Sequence, residues 1–146
     1  MALLEVENLE TNFYTEEGKV KAVNDVPYEI EAGERFGVVG ESGAGKSVTS
    51  LSVMGLIENP GRIDGGEIRF KGENLLEASE ERLQEIRGGE IAMIFQEPQS
   101  ALNPVYTVGE QIAEAIRKHM DLSGDEVKER AIDMLRRVGI PDPEER

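Results

Sequence analysis

The sequence predicts an α/β fold organised around one loop. Three observations predict it. Residues 40–47 read Gly-Glu-Ser-Gly-Ala-Gly-Lys-Ser, the pattern G-x-x-x-x-G-K-[ST] of a phosphate-binding loop. Residues 35–39, Arg-Phe-Gly-Val-Val, form a short β-rich run ending where that pattern begins. Residues 48–57 then place Val48, Leu51, Met54 and Ile57 at helical spacing with no proline. A phosphate loop needs a buried strand before it and a helix after it.

The chemistry of the loop follows from its residue types. Gly40 and Gly45 permit turns that a Cβ would obstruct. The amides of Gly43, Ala44, Gly45 and Lys46 can then converge on phosphate oxygens, with Ser42 in the same cradle. Lys46 supplies a point charge for the β- and γ-phosphates, and Ser47 offers a hydroxyl to Mg²⁺. The helix starting there adds its positive N-terminal end.

The remaining elements can be taken in order. Residues 3–9 predict a first strand. Residues 11–18 are polar, with a turn at Glu16-Glu17-Gly18. Residues 20–30 read as two short strands around Asn24-Asp25, and Ala32-Gly33-Glu34 as a tight turn into the strand that feeds the loop. Pro60-Gly61 and Gly65-Gly66 read as breaks. Residues 66–72 alternate apolar and polar, as a half-exposed strand does. Ser79 followed by residues 82–86 predicts a short capped helix. Residues 91–95, Ile-Ala-Met-Ile-Phe, are a continuous apolar run and predict a buried strand. Residues 108–120 are helical, with Ile112, Ala115, Ile116 and His119 on one face. Residues 123–138 predict a second helix, with Ser123 as N-cap, Glu126 three residues on and Gly139 as the stop.

Composition narrows the function. The 146 residues suffice for one domain with a real core. The net charge is −14, from 30 acidic and 16 basic residues, which argues against nonspecific nucleic-acid binding and against docking on anionic lipid. The acids are spread along the chain, so they read either as ordinary surface solvation or as the dense acidic surface of a salt-adapted source. With no cysteine, disulfides and thiolate metal sites are excluded. The N-terminus lacks the basic and apolar segments of a signal peptide, and no stretch is apolar and long enough to span a bilayer. His119, the single histidine, has no partner cluster in the sequence and reads as a surface or packing residue.

Taken together, the loop, the following helix, Gly-Gly-Glu-Ile-Arg-Phe at 65–70 and Ile-Ala-Met-Ile-Phe-Gln-Glu-Pro at 91–98 resemble the nucleotide-binding subunits of ATP-binding cassette (ABC) transporters. The segment 99–105, Gln-Ser-Ala-Leu-Asn-Pro-Val, and Val-Gly-Glu-Gln-Ile at 108–112 resemble more narrowly the ATPases of dipeptide, oligopeptide and nickel importers. The resemblance covers essentially the whole chain. It implies a P-loop NTPase fold of the ABC ATPase type. Residues 1–95 would be an antiparallel β-subdomain with part of the nucleotide core, and 96–146 the Q-loop and the start of a helical subdomain. It implies ATP and Mg²⁺ as cofactors. Gln96, 50 residues after Lys46, matches the Q-loop glutamine that senses the γ-phosphate and Mg²⁺. Phe13 or Tyr14 matches the aromatic that stacks on adenine. The spacing favours Phe13, and two adjacent aromatics leave the choice open. Glu97 stands where the family commonly has Asp, and is not expected to be the general base.

The resemblance also implies transmembrane permease partners, a second ATPase subunit, an indirect link to an extracytoplasmic solute-binding protein, and a place on the cytoplasmic face of the membrane. The family's signature Ser-Gly-Gly motif, its Walker B aspartate with the catalytic glutamate, and its switch histidine do not occur here. The chain is therefore expected to be a fragment of a longer subunit or the product of a truncated gene, without turnover of its own. A non-hydrolysing nucleotide-binding or docking role is the alternative. A small-molecule kinase of the P-loop class would leave Gln96 and Leu102-Asn103-Pro104 unexplained.

Overall fold

Five antiparallel strands form one sheet in the computed structural model, which describes residues 1–43 and 45–146. Ala44 lies outside the described residues. Strand β1 (Ala2–Thr15) runs through the middle. Along one edge its first half pairs with β3 (Tyr28–Glu31) and its second half with β2 (Gly18–Asn24). Along the other edge it pairs with β4 (Gly61–Phe70), which carries the short β5 (Glu73–Asn74). Helix α1 (Lys46–Met54) packs on β1 and β2.

The chain divides into two compact units, Met1–Gln84 and Glu85–Arg146. In the first, Val6, Leu9 and Ile68 are fully buried, and Val23, Val53 and Phe70 complete an apolar core. A buried polar bond adds to it: Thr11 and Ser52 join their hydroxyls at 2.9 Å, linking β1 to α1. Helix α2 (Glu80–Ile86) runs across the boundary between the units and starts with the Arg82 amide donating to Ser79 Oγ at 3.2 Å. In the second unit, α3 (Val108–His119) and α4 (Gly124–Arg137) pack together over Ala113, Val127, Ala131 and Leu135. Short 3-10 turns occupy Pro98–Ala101 and Pro143–Glu145.

Three expectations need correction. Residues 35–39 and 91–95 are not strands, although both are apolar. Val39 is 94% exposed and Ile94 91% exposed. A continuous apolar run becomes a strand only when neighbours satisfy its backbone groups, and among the described residues no strand pairs with either run, although the Phe36 ring stacks on Tyr28 of β3 at 5.4 Å. The 91–95 run makes a single bridge, Arg87 to Ile91. The third correction concerns Gly65-Gly66, which falls inside β4 and does not break it, whereas Pro60-Gly61 is a break, with the turn at 59–60 leading into Gly61 as the first residue of β4. At Gly66, with φ 102°, a Cβ would lie 2.5 Å from Leu9 Cα, so the glycine lets β4 stay paired where β1 bulges.

Candidate functional site

The loop at 40–47 takes its turns at Gly43 and Gly45; Gly40, expected with Gly45 to permit them, is not among the glycines with a positive φ. Gly43 and Gly45 have φ of 85° and 88°, a region open to glycine at little cost. Gly45 is doubly constrained, because a Cβ there would lie 2.3 Å from the carbonyl oxygen of Ala22. Ala22 is the extra residue of a bulge in β2, opposite the step from Thr11 to Asn12. The bulge therefore seats the loop against the sheet.

Gly45 is also the N-cap of α1. It offers no side-chain cap, and the first turn of α1 carries no acidic residue. Helices α3 and α4 contrast with it. Thr107 accepts from the Glu110 amide at 3.1 Å, and Ser123 and Glu126 form a reciprocal capping box. Both of those helices hold acids in the first turn. Helix α1 thus presents uncapped amides and an unneutralised positive end at the loop, which is the chemistry of an anion site. Lys46 Nζ donates to the carbonyls of Gly40 and, at 2.9 Å, of Glu41, so its charge is held over the loop. Ser47 is exposed in the first turn of α1, and Ser42 and Gly43 are exposed before it.

Phe13 and Tyr14 lie on opposite faces of β1, as successive strand residues do. Thr11, two residues before Phe13, faces α1 through its bond to Ser52. The Phe13 ring edge lies by Gly61, where a Cβ would come within 2.8 Å of Cε1. On the other face, Tyr14 donates its hydroxyl to Asp64 Oδ2 at 2.5 Å, and the Arg62 guanidinium carbon sits 4.5 Å from the ring centre. The hydrogen bond from Tyr14, then that from Asn12, then Arg62, hold the Asp64 carboxyl down at about 2.

Gln96 belongs to the second unit, where it is exposed just before the turn at Pro98–Ala101. The segment after it is fastened to α3 by Gln111. The Gln111 side chain accepts from the Asn103 amide at 2.9 Å and donates to the Asn103 and Tyr106 carbonyls at 2.9 and 3.2 Å. Leu102, Val105 and Tyr106 are left exposed beside it. His119 packs against the Gly88-Gly89 turn, where a Cβ on Gly89 would meet its Nδ1 at 2.9 Å. Sequence reasoning missed Ala22 and Asp64, and it met Gln111 only as part of the 108–112 likeness, without its role. No motif marks Ala22 or Asp64; only the register of the strands and the fold of the 102–106 segment bring these residues to the ones they support.

A fold of this kind around such a loop defines a nucleotide-binding cassette, and the chain belongs to the ABC transporter family, whose model matches residues 23–146. It is 48% identical over 146 residues to the dipeptide transport ATP-binding protein DppD of Escherichia coli K12, spanning all of this chain and 45% of that protein. It is 52% identical over 145 residues to the "Probable peptide ABC transporter ATP-binding protein y4tR" of Sinorhizobium fredii, spanning 99% of this chain and 43% of that one. The chain thus spans less than half the length of these relatives. Among solved structures, the dimeric structure of MJ0796, a bacterial ABC transporter cassette, superposes with a TM-score of 0.77 at 26% identity over 91% of this chain and 56% of that one. A post-hydrolysis state of the same cassette bound to ADP and Pi superposes equally well, at 0.77. The fold is the P-loop fold of the ABC ATPases, with the antiparallel sheet and helices of its N-terminal part.

Proposed function

We propose that this chain binds Mg-ATP at residues 40–47 and serves in an ABC importer subunit that couples ATP hydrolysis to uptake of di- or oligopeptides or a related solute. The uncapped, acid-free N-terminus of α1 behind a glycine-shaped loop is the observation that carries the reading. The amides of Gly43, Gly45 and Lys46 hold phosphate oxygens, with Ala44 between them in sequence. Lys46 neutralises the β- and γ-phosphates, and the Ser47 hydroxyl ligates Mg²⁺, which draws charge off the phosphates. We assign Gln96 the role of sensing the γ-phosphate and Mg²⁺, because its neutral amide can accept and donate at once. Phe13 stacks on adenine in preference to Tyr14. Its face of β1 is the one that meets α1, and the Tyr14 ring is engaged by Asp64 and Arg62.

In this reading residues 1–95 belong to the β-subdomain and nucleotide core, and 96–146 to the Q-loop and the start of the helical subdomain. The subunit works at the cytoplasmic face of the membrane with a second ATPase subunit and permease subunits. The exposed Leu102, Val105 and Tyr106 offer a permease an apolar contact on an otherwise acidic surface. An extracytoplasmic solute-binding protein takes part indirectly.

A second reading, nucleotide binding without hydrolysis, is favoured for these 146 residues by their content. They hold no signature Ser-Gly-Gly and no acidic pair after a Walker B strand. Calorimetry with Mg-ATP and phosphate release on the purified chain test both readings. Binding that Lys46→Ala abolishes supports the loop assignment; wild-type affinity in that variant refutes it. Turnover sensitive to Lys46→Ala would refute the second reading.

A further inference from the structure

We propose that Asp64 is a positioning residue for the nucleotide base: by bracing Asn12 and Tyr14 on one face of β1, it fixes the Phe13 ring on the other. The inference rests on the reading of Phe13 given above. Asp64 is the extra residue of a bulge in β4, between Ile63, which faces Thr11, and Gly65, which faces Glu10. Bulges re-aim a side chain, and this one aims a carboxylate across the end of β1. Its Oδ2 accepts from Tyr14 Oη at 2.5 Å and from Asn12 Nδ2 at 2.6 Å, and its Oδ1 accepts from Arg62 Nε at 2.7 Å. Asn12 is fully buried, and its Oδ1 has no partner. Its placement therefore rests on two donations, to Asp64 and, at 3.1 Å, to Glu10.

One carboxylate thus braces the residues on either side of Phe13. The ring edge lies beside Gly61, where Phe13 Cε1 and Ile57 Cγ2 both flank the space a Cβ would fill. The Tyr14 amide holds the same stretch to the Pro60 carbonyl at 2.9 Å. Residues 12–14 pair with β2 at Lys21, Val20 and Lys19, and residues 12 and 13 with β4 at Arg62 and Gly61, so losing the brace does not free the strand; it changes the local twist beside the two bulges, and with it the angle at which the Phe13 ring stands. The phosphate loop meets the sheet at Ala22 of β2, whereas Asp64 lies on β4, across β1 from it.

The test is calorimetry on the 146-residue chain with two ligands, Mg-ATP and Mg-tripolyphosphate, the second carrying phosphates without a base. Asp64→Ala is expected to weaken Mg-ATP about fivefold to twentyfold, a part of one base–aromatic stack, and to leave Mg-tripolyphosphate unchanged. Tyr14→Phe is expected to give a smaller loss of the same kind, and the double variant no more than Asp64→Ala alone, because both act through one chain of contacts. Equal losses for both ligands, or no loss for either, overturn the positioning role. Should Asp64→Ala not fold, the ligand split of Tyr14→Phe decides. If Lys46→Ala removes binding of both ligands while Asp64→Ala is neutral, only the positioning role falls. If wild-type protein binds neither ligand, the phosphate-loop reading falls with it, and unchanged Mg-ATP affinity in Phe13→Ala overturns the stacking assignment.

Discussion

Replacing Gly45 by alanine separates two costs that are usually confounded. Gly43 and Gly45 share a left-handed backbone, with φ of 85° and 88°. Their surroundings differ. A Cβ on Gly43 meets nothing within 4 Å, whereas one on Gly45 meets the Ala22 carbonyl oxygen at 2.3 Å. Gly43→Ala therefore bears only the conformational cost, about 1–2 kcal/mol. Gly45→Ala bears the same cost and a contact roughly 1 Å too short for atoms of this kind. The obstacle is backbone, so the loop must move away from β2, adding about 1–3 kcal/mol of overpacking. The same movement displaces the amides at the start of α1. Loss of one hydrogen bond to a charged phosphate is worth about 1.5–3 kcal/mol, or tenfold to hundredfold in affinity. Urea unfolding and calorimetry with Mg-ATP, run on both variants, measure the two effects. Gly45→Ala should be the less stable by about 1–3 kcal/mol and the weaker binder by at least tenfold. Equal behaviour of the two variants would show that the contact with Ala22 does not seat the loop.

Ser123→Ala removes the side-chain half of the α4 capping box and should lower stability by about 1 kcal/mol, read from the urea midpoint at constant slope. A dependence on pH follows from Asp64 and Glu126. The carboxyl of Asp64 is lowered to about 2, first by Tyr14, and that of Glu126 is lowered by the Ser123 backbone amide and side chain. A carboxyl lowered in the folded state stabilises it above the unfolded value near 4 and ceases to as pH falls through the folded value. Stability should therefore drop between about pH 4 and 2, and Asp64→Asn should flatten that slope; an unchanged slope counts against the Asp64 contacts.

The sequence makes some of this fold legible and hides the rest for physical reasons. Helices α3 and α4 follow from periodicity and from caps lying within four residues of the atoms they serve, so local sequence contains the whole argument. The first half of β1, with β2 and β3, is marked by short apolar runs and by turns at Asn24-Asp25 and Ala32-Gly33-Glu34; β1 runs on to Thr15, through residues that read as polar, because β2 and β4 pair with them. The loop's backbone is partly legible, because left-handed positions such as 43 and 45 call for glycine. The segments at 35–39 and 91–95 mislead because apolarity records what a segment wants to bury, while strand formation depends on a neighbour elsewhere in the chain. Gly65-Gly66 misleads because a glycine pair looks the same in a turn and in a bulge; only the opposing Asn8 and Leu9 distinguish them. Asp64 is illegible in sequence because its partners, Tyr14 and Asn12, lie about fifty residues away, at separations of 50 and 52.

The exposed runs around Val39 and Ile94 have a colloidal consequence. An exposed apolar segment outside any sheet is an adhesive surface, and more than one per molecule permits chains of molecules and not only pairs. Working against this is the net charge of −14, which surrounds each molecule with mutual repulsion. That repulsion reaches about 10 Å at 0.1 M salt and only about 3 Å at 1 M. The acidic surface then acts as a dispersant whose range is set by the buffer, and the chain's solubility becomes a contest between sticky surfaces and a screening length.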